Sequence, residues 1–155
     1  MKKACQLNNL SEKEIKIINT GVSDKKSKYL VTDKGTVNKI TLNENTGGWQ
    51  WIENKNGLDF TTLDELWDKK IIGEIGFFWL DAQWMEDKIL IGGKKYLNHN
   101  KPLILMEYCP ITKYDTDNKS IMKWKIGTSE EIKKDVKFQK IFKDIGIKIY
   151  DEQPS

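Results

Sequence analysis

Two apolar segments constrain the fold of this chain more than any other feature of the sequence. Residues 71–80 read IIGEIGFFWL and residues 103–109 read LILMEYC. Both segments place apolar side chains on the two alternating faces of a strand, a pattern typical of strands that are covered on both sides. They are therefore predicted to be central strands, with Trp79 in the core.

The other segments predict shorter elements around these strands. Three helices are expected to begin at capping boxes, in which Ser or Thr is followed three residues later by Glu. The predicted helices cover residues 11–19, 63–68 and 129–144; further strands are predicted at residues 29–32, 36–42, 49–52, 87–91 and 121–126, with a loop at 96–101. Hairpins and separated helices predict an α+β fold: one domain over residues 1–150, with a mainly antiparallel sheet of about six strands and three helices packed against it, and a tail over residues 151–155.

Length and cysteine content limit the class of protein. A chain of 155 residues can bury one sizeable core without disulfides or metal. Its two cysteines, Cys5 and Cys109, are far apart in the sequence and fit free thiols in a reducing compartment. The first residues lack the apolar core of a signal peptide, and no apolar run approaches the length of a membrane span. A cytoplasmic protein that does not enter a membrane is expected.

Charge is distributed unevenly along the chain. Residues 41–90 carry four lysines and ten acids, whereas the segments before and after them are basic. The acidic middle also holds five of the six tryptophans. All 26 basic residues are lysine, and the absence of arginine disfavours sequence-specific reading of a DNA duplex.

The sequence offers little for catalysis or for binding a metal or cofactor. It contains one histidine, His99, and two scattered cysteines, which cannot build a structural zinc site of the usual kinds. Paired carboxylates remain as an enzymatic alternative, because Glu74 and Glu107 each interrupt an apolar strand. The simpler interpretation is that each of these acids faces solvent or a lysine. No catalytic residue, metal ligand or cofactor is therefore predicted.

The acidic, tryptophan-rich middle predicts a protein-binding surface. Tryptophan is frequent among the residues that dominate binding energy in protein interfaces. On the helix predicted at residues 63–68, three acids are expected to face outward while Leu63, Leu66 and Trp67 face inward. The predicted contact residues for a partner are Trp49, Trp51, Asp64, Glu65, Asp68 and Trp84.

These patterns favour a small, non-enzymatic binding protein that inhibits or masks a basic protein partner, such as a nuclease or defence effector. An immunity protein or a phage-encoded anti-defence inhibitor would have this character. One alternative is a single-stranded nucleic-acid binder that uses lysines and stacked tryptophans, in which Lys123, Lys125 or the C-terminal helix would lie beside Trp49 and Trp51. Another is a small hydrolase with paired carboxylates.

Overall fold

The computed structural model describes residues 7–8, 11, 14–33, 49–82, 84–108 and 129–148. Within these residues it contains six strands and five helices. The strands are β1 (Gly21–Val22), β2 (Ser27–Asp33), β3 (Trp49–Glu53), β4 (Leu58–Thr61), β5 (Phe77–Leu80) and β6 (Leu103–Met106). The helices are α1 (Leu63–Asp68), α2 (Glu86–Gly92), α3 (Lys94–Asn100), α4 (Ser129–Lys134) and α5 (Val136–Ile145).

Four strands form a mixed sheet in the order β1-β4-β2-β3. β2 pairs antiparallel with both β3 and β4, and β1 pairs parallel with β4. The inward face of this sheet carries Tyr29 and Phe60, whose ring centroids lie 4.7 Å apart. Trp51 packs edge-on against Phe60 at 5.1 Å, so the aromatic residues of three strands meet over the core.

The other two strands form a separate parallel sheet. Phe77 pairs with Leu103 and Leu80 with Met106. A parallel pair needs a long connection between its strands, and here α2 and α3 supply it. α2 passes close to the end of β1: a Cβ at Gly92 would lie 2.0 Å from the carbonyl oxygen of Ser23. Glycine at this position therefore permits close contact between α2 and the four-stranded sheet. We call the connection from β5 to β6, which contains α2 and α3, the crossover.

The predicted single antiparallel sheet with three helices is wrong, although the α+β class is correct. The described residues contain a mixed four-stranded sheet, a parallel two-stranded sheet and five helices. The two apolar segments do pair with each other, but they form a sheet of their own. Only one face of this sheet is covered by the rest of the protein. Trp79 lies on the other face and is 68% exposed, so the prediction that Trp79 lies in the core is wrong.

Two segments of the crossover were assigned incorrectly from the sequence. The strand predicted at residues 87–91 is part of α2, and all but the last residue of the loop predicted at residues 96–101 lies in α3. The side chain of Met85 and those of Ile89 and Leu90 are buried at helical spacing. The free backbone N–H groups at the start of α3 are hydrogen-bonded by a side chain of another helix. Asp64 of α1 accepts hydrogen bonds from the N–H groups of Lys95 and Tyr96 at 3.1 and 2.8 Å.

The first and last predicted helices also differ from the structure. Glu14 accepts a hydrogen bond from the backbone N–H of Ser11 at 2.8 Å, as the capping box predicts, but residues 15–20 are irregular. The last helix is divided at Asp135, which accepts hydrogen bonds from the N–H groups of Lys137 and Phe138 and so starts α5. This segment ends at Gly146, with φ 70°, as predicted.

The strands predicted at residues 36–42 and 121–126 lie outside the described residues, as do Cys5 and Cys109. The core is formed between the four-stranded sheet, the inner face of the parallel pair and the helices. Its most deeply buried large side chains are Tyr29, Leu90, Tyr96, Leu97 and Ile145. Across the described ranges, no helix is long and apolar enough to cross a membrane.

Candidate functional site

The parallel sheet has one buried face and one open face. Phe78, Leu80, Ile104 and Met106 point to the core. The side chains on the other side are large, apolar and exposed: Phe77 (52%), Trp79 (68%), Leu103 (67%) and Leu105 (53%). We call these four residues the open face. Parallel strands are normally covered on both sides, and a contiguous exposed apolar patch often marks a contact surface.

Two carboxylates continue the open face at the carboxyl ends of the strands. Phe77 and Trp79 are paired with Leu103 and Leu105, and the next pair in the same alternation is Asp81 and Glu107. The ladder extends to this point, because the Glu107 N–H donates to the carbonyl oxygen of Leu80 at 3.1 Å. The surface thus consists of two apolar rows followed by an acidic row.

A third carboxylate lies behind the acidic row. Asp81, Glu86 and Glu107 each place a carboxylate oxygen within 4.8 Å of the others; we call them the carboxylate cluster. Glu86 belongs to the first turn of α2 and is only 8% exposed. Its Oε1 accepts a hydrogen bond from the Ala82 N–H at 2.8 Å. Burial raises the pKa of Glu86, and the negative charges of Glu107 and Asp81 add to the increase.

The connection between Asp81 and Glu86 has an unusual backbone. Trp84 adopts φ 73°, in the left-handed region. A bulky residue in that region costs on the order of 1–3 kcal/mol and persists only where surrounding contacts impose it. Trp84 lies between the end of β5 and the start of α2, close in sequence to both Asp81 and Glu86.

Oxygen ligands of this kind suit a hard cation such as magnesium or calcium. However, one oxygen of Glu86 already accepts a backbone hydrogen bond, and exposed acidic groups are common without an ion. We therefore assign no metal to the cluster, which contributes negative charge beside the open face.

The acids that the sequence predicts as partner contacts lie on α1 and are engaged within the chain. Asp64 holds the first turn of α3, as described above. Glu65 accepts from Lys26, Lys69 and Thr61 at 2.7, 2.6 and 2.7 Å, and these hydrogen bonds lower its pKa to about 2. Asp68 forms an ion pair with Lys95. These carboxylates join α1 to the rest of the molecule.

The predicted contact tryptophans are distributed over different elements. Trp49 and Trp51 lie on β3, and Trp51 is half-buried against the core. Trp84 is half-buried in the connection next to the carboxylate cluster. Trp67 is half-buried on α1, with its ring 4.8 Å from that of His99. Thus Trp84 is the predicted contact residue that lies closest in sequence to the acidic row.

The paired-carboxylate alternative is not assembled as the sequence predicted. Glu74 is exposed in the segment before β5, whereas Glu107 follows β6 at the opposite end of the parallel sheet. Four residue pairs separate the two ends, which is about 13 Å at 3.3 Å per residue. Lys123 and Lys125, which the nucleic-acid alternative names beside the C-terminal helix, lie outside the described residues.

Sequence reasoning missed Trp79, Leu103 and Leu105 as exposed residues and Asp81 and Glu86 as members of an acidic group. One signal was present: an acid directly follows each strand, at positions 81 and 107. Acids at the carboxyl ends of neighbouring parallel strands come together at one edge of a sheet. The sequence does not show which apolar residues are exposed, because both faces of the two strands are equally apolar.

Comparisons with known proteins identify no relative. No protein-family model matches the chain, and neither a curated protein nor a solved structure is significantly similar to it. The function must therefore be argued from the residues of the chain itself.

Proposed function

We propose that this protein is a non-enzymatic binding protein that masks a basic protein partner, and that the open face with its acidic row is the contact surface. The observation that carries the proposal is the exposure of Trp79, 68% of whose surface is accessible beside three other exposed apolar side chains. Large aromatic residues next to a polar rim are frequent at the centre of protein interfaces.

The negative charge at one end of this surface favours a partner with a basic surface. Three carboxylates lie within 4.8 Å of one another, and this concentration of negative charge attracts a lysine or arginine of another protein. The same carboxylates repel nucleic-acid phosphates. A basic protein surface therefore fits this site better than single-stranded nucleic acid does.

The proposed contact surface does not include the acids of α1. A partner that competed for Glu65 or Asp68 would have to displace Lys26, Lys69 or Lys95 from existing ion pairs. Exchange of one ion pair for another gains little free energy at an exposed site. Binding at Trp79 and the acidic row leaves the ion pairs of α1 in place.

Differential capture from the cell of origin tests the proposal. The immobilised chain is compared with Trp79→Ser and with Ile91→Ser, which changes an exposed apolar residue of α2 (45%) as a matched control. We expect a basic protein to be retained by the wild type and by Ile91→Ser, and its retention to fall about tenfold or more with Trp79→Ser. Its retention should also decrease at high salt.

Equal retention of every captured protein by the wild type and Trp79→Ser would contradict the proposal. So would a captured partner that is acidic, or one whose binding does not depend on salt. Circular dichroism of the two variants provides the necessary control that both remain folded.

A further inference from the structure

We propose that the partner presents to this surface an extended segment in which two apolar side chains and one lysine or arginine occupy every second position. The proposal rests on the function proposed above and specifies the part of the partner that is recognised. It is drawn from two features of the surface: the spacing of its rows and the order of its chemistry.

Row spacing matches an extended chain. Successive rows of the open face are two residues apart on β5 and β6, about 6.6 Å at 3.3 Å per residue. Every second side chain of an extended segment lies on the same side and repeats at this distance. Such a segment can therefore place three side chains over three rows without bending.

A helix fits the same surface less well. Helical side chains at positions i, i+4 and i+7 share one face, but they span only about 10.5 Å at 1.5 Å per residue. Three rows of this surface span about 13 Å. An extended chain matches that spacing.

The order of the rows determines the order of side chains in the segment. Phe77 with Leu103 and Trp79 with Leu105 form the apolar rows, and Asp81 with Glu107 forms the acidic row. Two apolar residues at alternate positions cover the apolar rows, and a basic residue two positions farther reaches the carboxylates. The segment can run in either chain direction, provided that its basic residue lies over the acidic row.

Two peptides of identical composition test this inference by NMR on the full-length, nitrogen-15-labelled chain. In acetyl-GLSLSRG-amide the two leucines and the arginine share one side of an extended chain. In acetyl-GLSLRSG-amide the arginine lies on the opposite side. We expect the first peptide to shift the Trp79 indole and Glu107 amide signals and to bind at least about fivefold more tightly than the second.

Charge variants assign the preference to the acidic row. The double variant Asp81→Asn with Glu107→Gln should bind both peptides equally. The matched variant Asp59→Asn with Glu74→Gln, which removes two exposed acids elsewhere, should retain the preference. Equal affinity of the wild type for the two peptides, shifts outside the open face, or no shift with either peptide would overturn the extended-segment inference.

The two proposals can fail separately. If Trp79→Ser abolishes capture of a basic protein but the peptides are not distinguished, the surface binds a partner in another form, such as a helix. If Trp79→Ser leaves capture unchanged, the proposed function itself fails, whatever the peptides do.

Discussion

Two regions of this molecule combine tryptophan with acids, and they use those residues differently. On α1, Trp67 packs with Tyr96 and His99, while Asp64, Glu65 and Asp68 bind backbone or lysine groups elsewhere in the chain. On the parallel sheet, Trp79 is exposed and the neighbouring carboxylates gather beside one another. Acidity and aromaticity in a sequence therefore do not distinguish groups that stabilise the fold from groups that can meet a partner.

The largest expected difference between the two regions is the effect of removing each indole on stability. Trp67→Ala should lower the free energy of unfolding by about 2–4 kcal/mol, because the ring contacts Tyr96, His99 and the Lys95 ammonium. Trp79→Ala should lower it by less than about 1 kcal/mol, since most of the ring is in water. Urea unfolding of both variants measures the difference. Equal losses would show that the open face is covered in the folded protein.

Removing a carboxylate should give the next largest difference. Asp64→Ala leaves the N–H groups of Lys95 and Tyr96 without their acceptor at the start of α3. We expect a loss of about 1–3 kcal/mol in the free energy of unfolding. Glu107→Gln removes a charge that lies close to two like charges and should change stability by no more than about 0.5 kcal/mol. A larger loss with Glu107→Gln than with Asp64→Ala would reverse the assignment of the two regions.

The fold was predictable where local signals determine it, as in β2, β3, α1 and the end of α5 at Gly146. It was not predictable where distant residues decide. The helix α3 is started by Asp64, about 30 residues earlier in the chain, and no pattern within residues 94–100 shows that contact. The open face was missed for a similar reason: covering of an apolar strand depends on which elements pack over it, and the strand sequence does not contain that information.

The smallest expected difference concerns the response of stability to pH. The pKa of Glu65 is lowered from its ordinary value of 4.5 to about 2. The stability that this carboxylate contributes is therefore fully present above 4.5 and is lost as the pH falls from 4.5 towards 2. Wild type should exceed Glu65→Gln in stability at neutral pH, and this advantage should disappear over that interval.

Glu86 should show the opposite sign. Burial raises its pKa above 4.5, so the folded state binds the proton more tightly than the unfolded state does. Stability is then lost as the pH rises from 4.5 through the higher folded pKa. Glu86→Gln, which can keep the hydrogen bond from the Ala82 N–H, should become more stable than wild type above that interval. Denaturant unfolding across the acidic range measures both variants, and the same sign for the two would contradict the contrast between the regions.

The central claim is that Trp79 is exposed to water beside a cluster of negative charge. Collisional quenching of tryptophan fluorescence by caesium and by iodide tests it most directly, with wild type compared to Trp79→Phe. The fluorescence that this substitution removes should be readily quenched. When the quenching constant of each ion is divided by its value for free N-acetyltryptophanamide, caesium should give the larger ratio because carboxylates attract the cation. If the removed fluorescence is inaccessible to both ions, or if iodide gives the larger ratio, the open face is not an exposed, acidic surface.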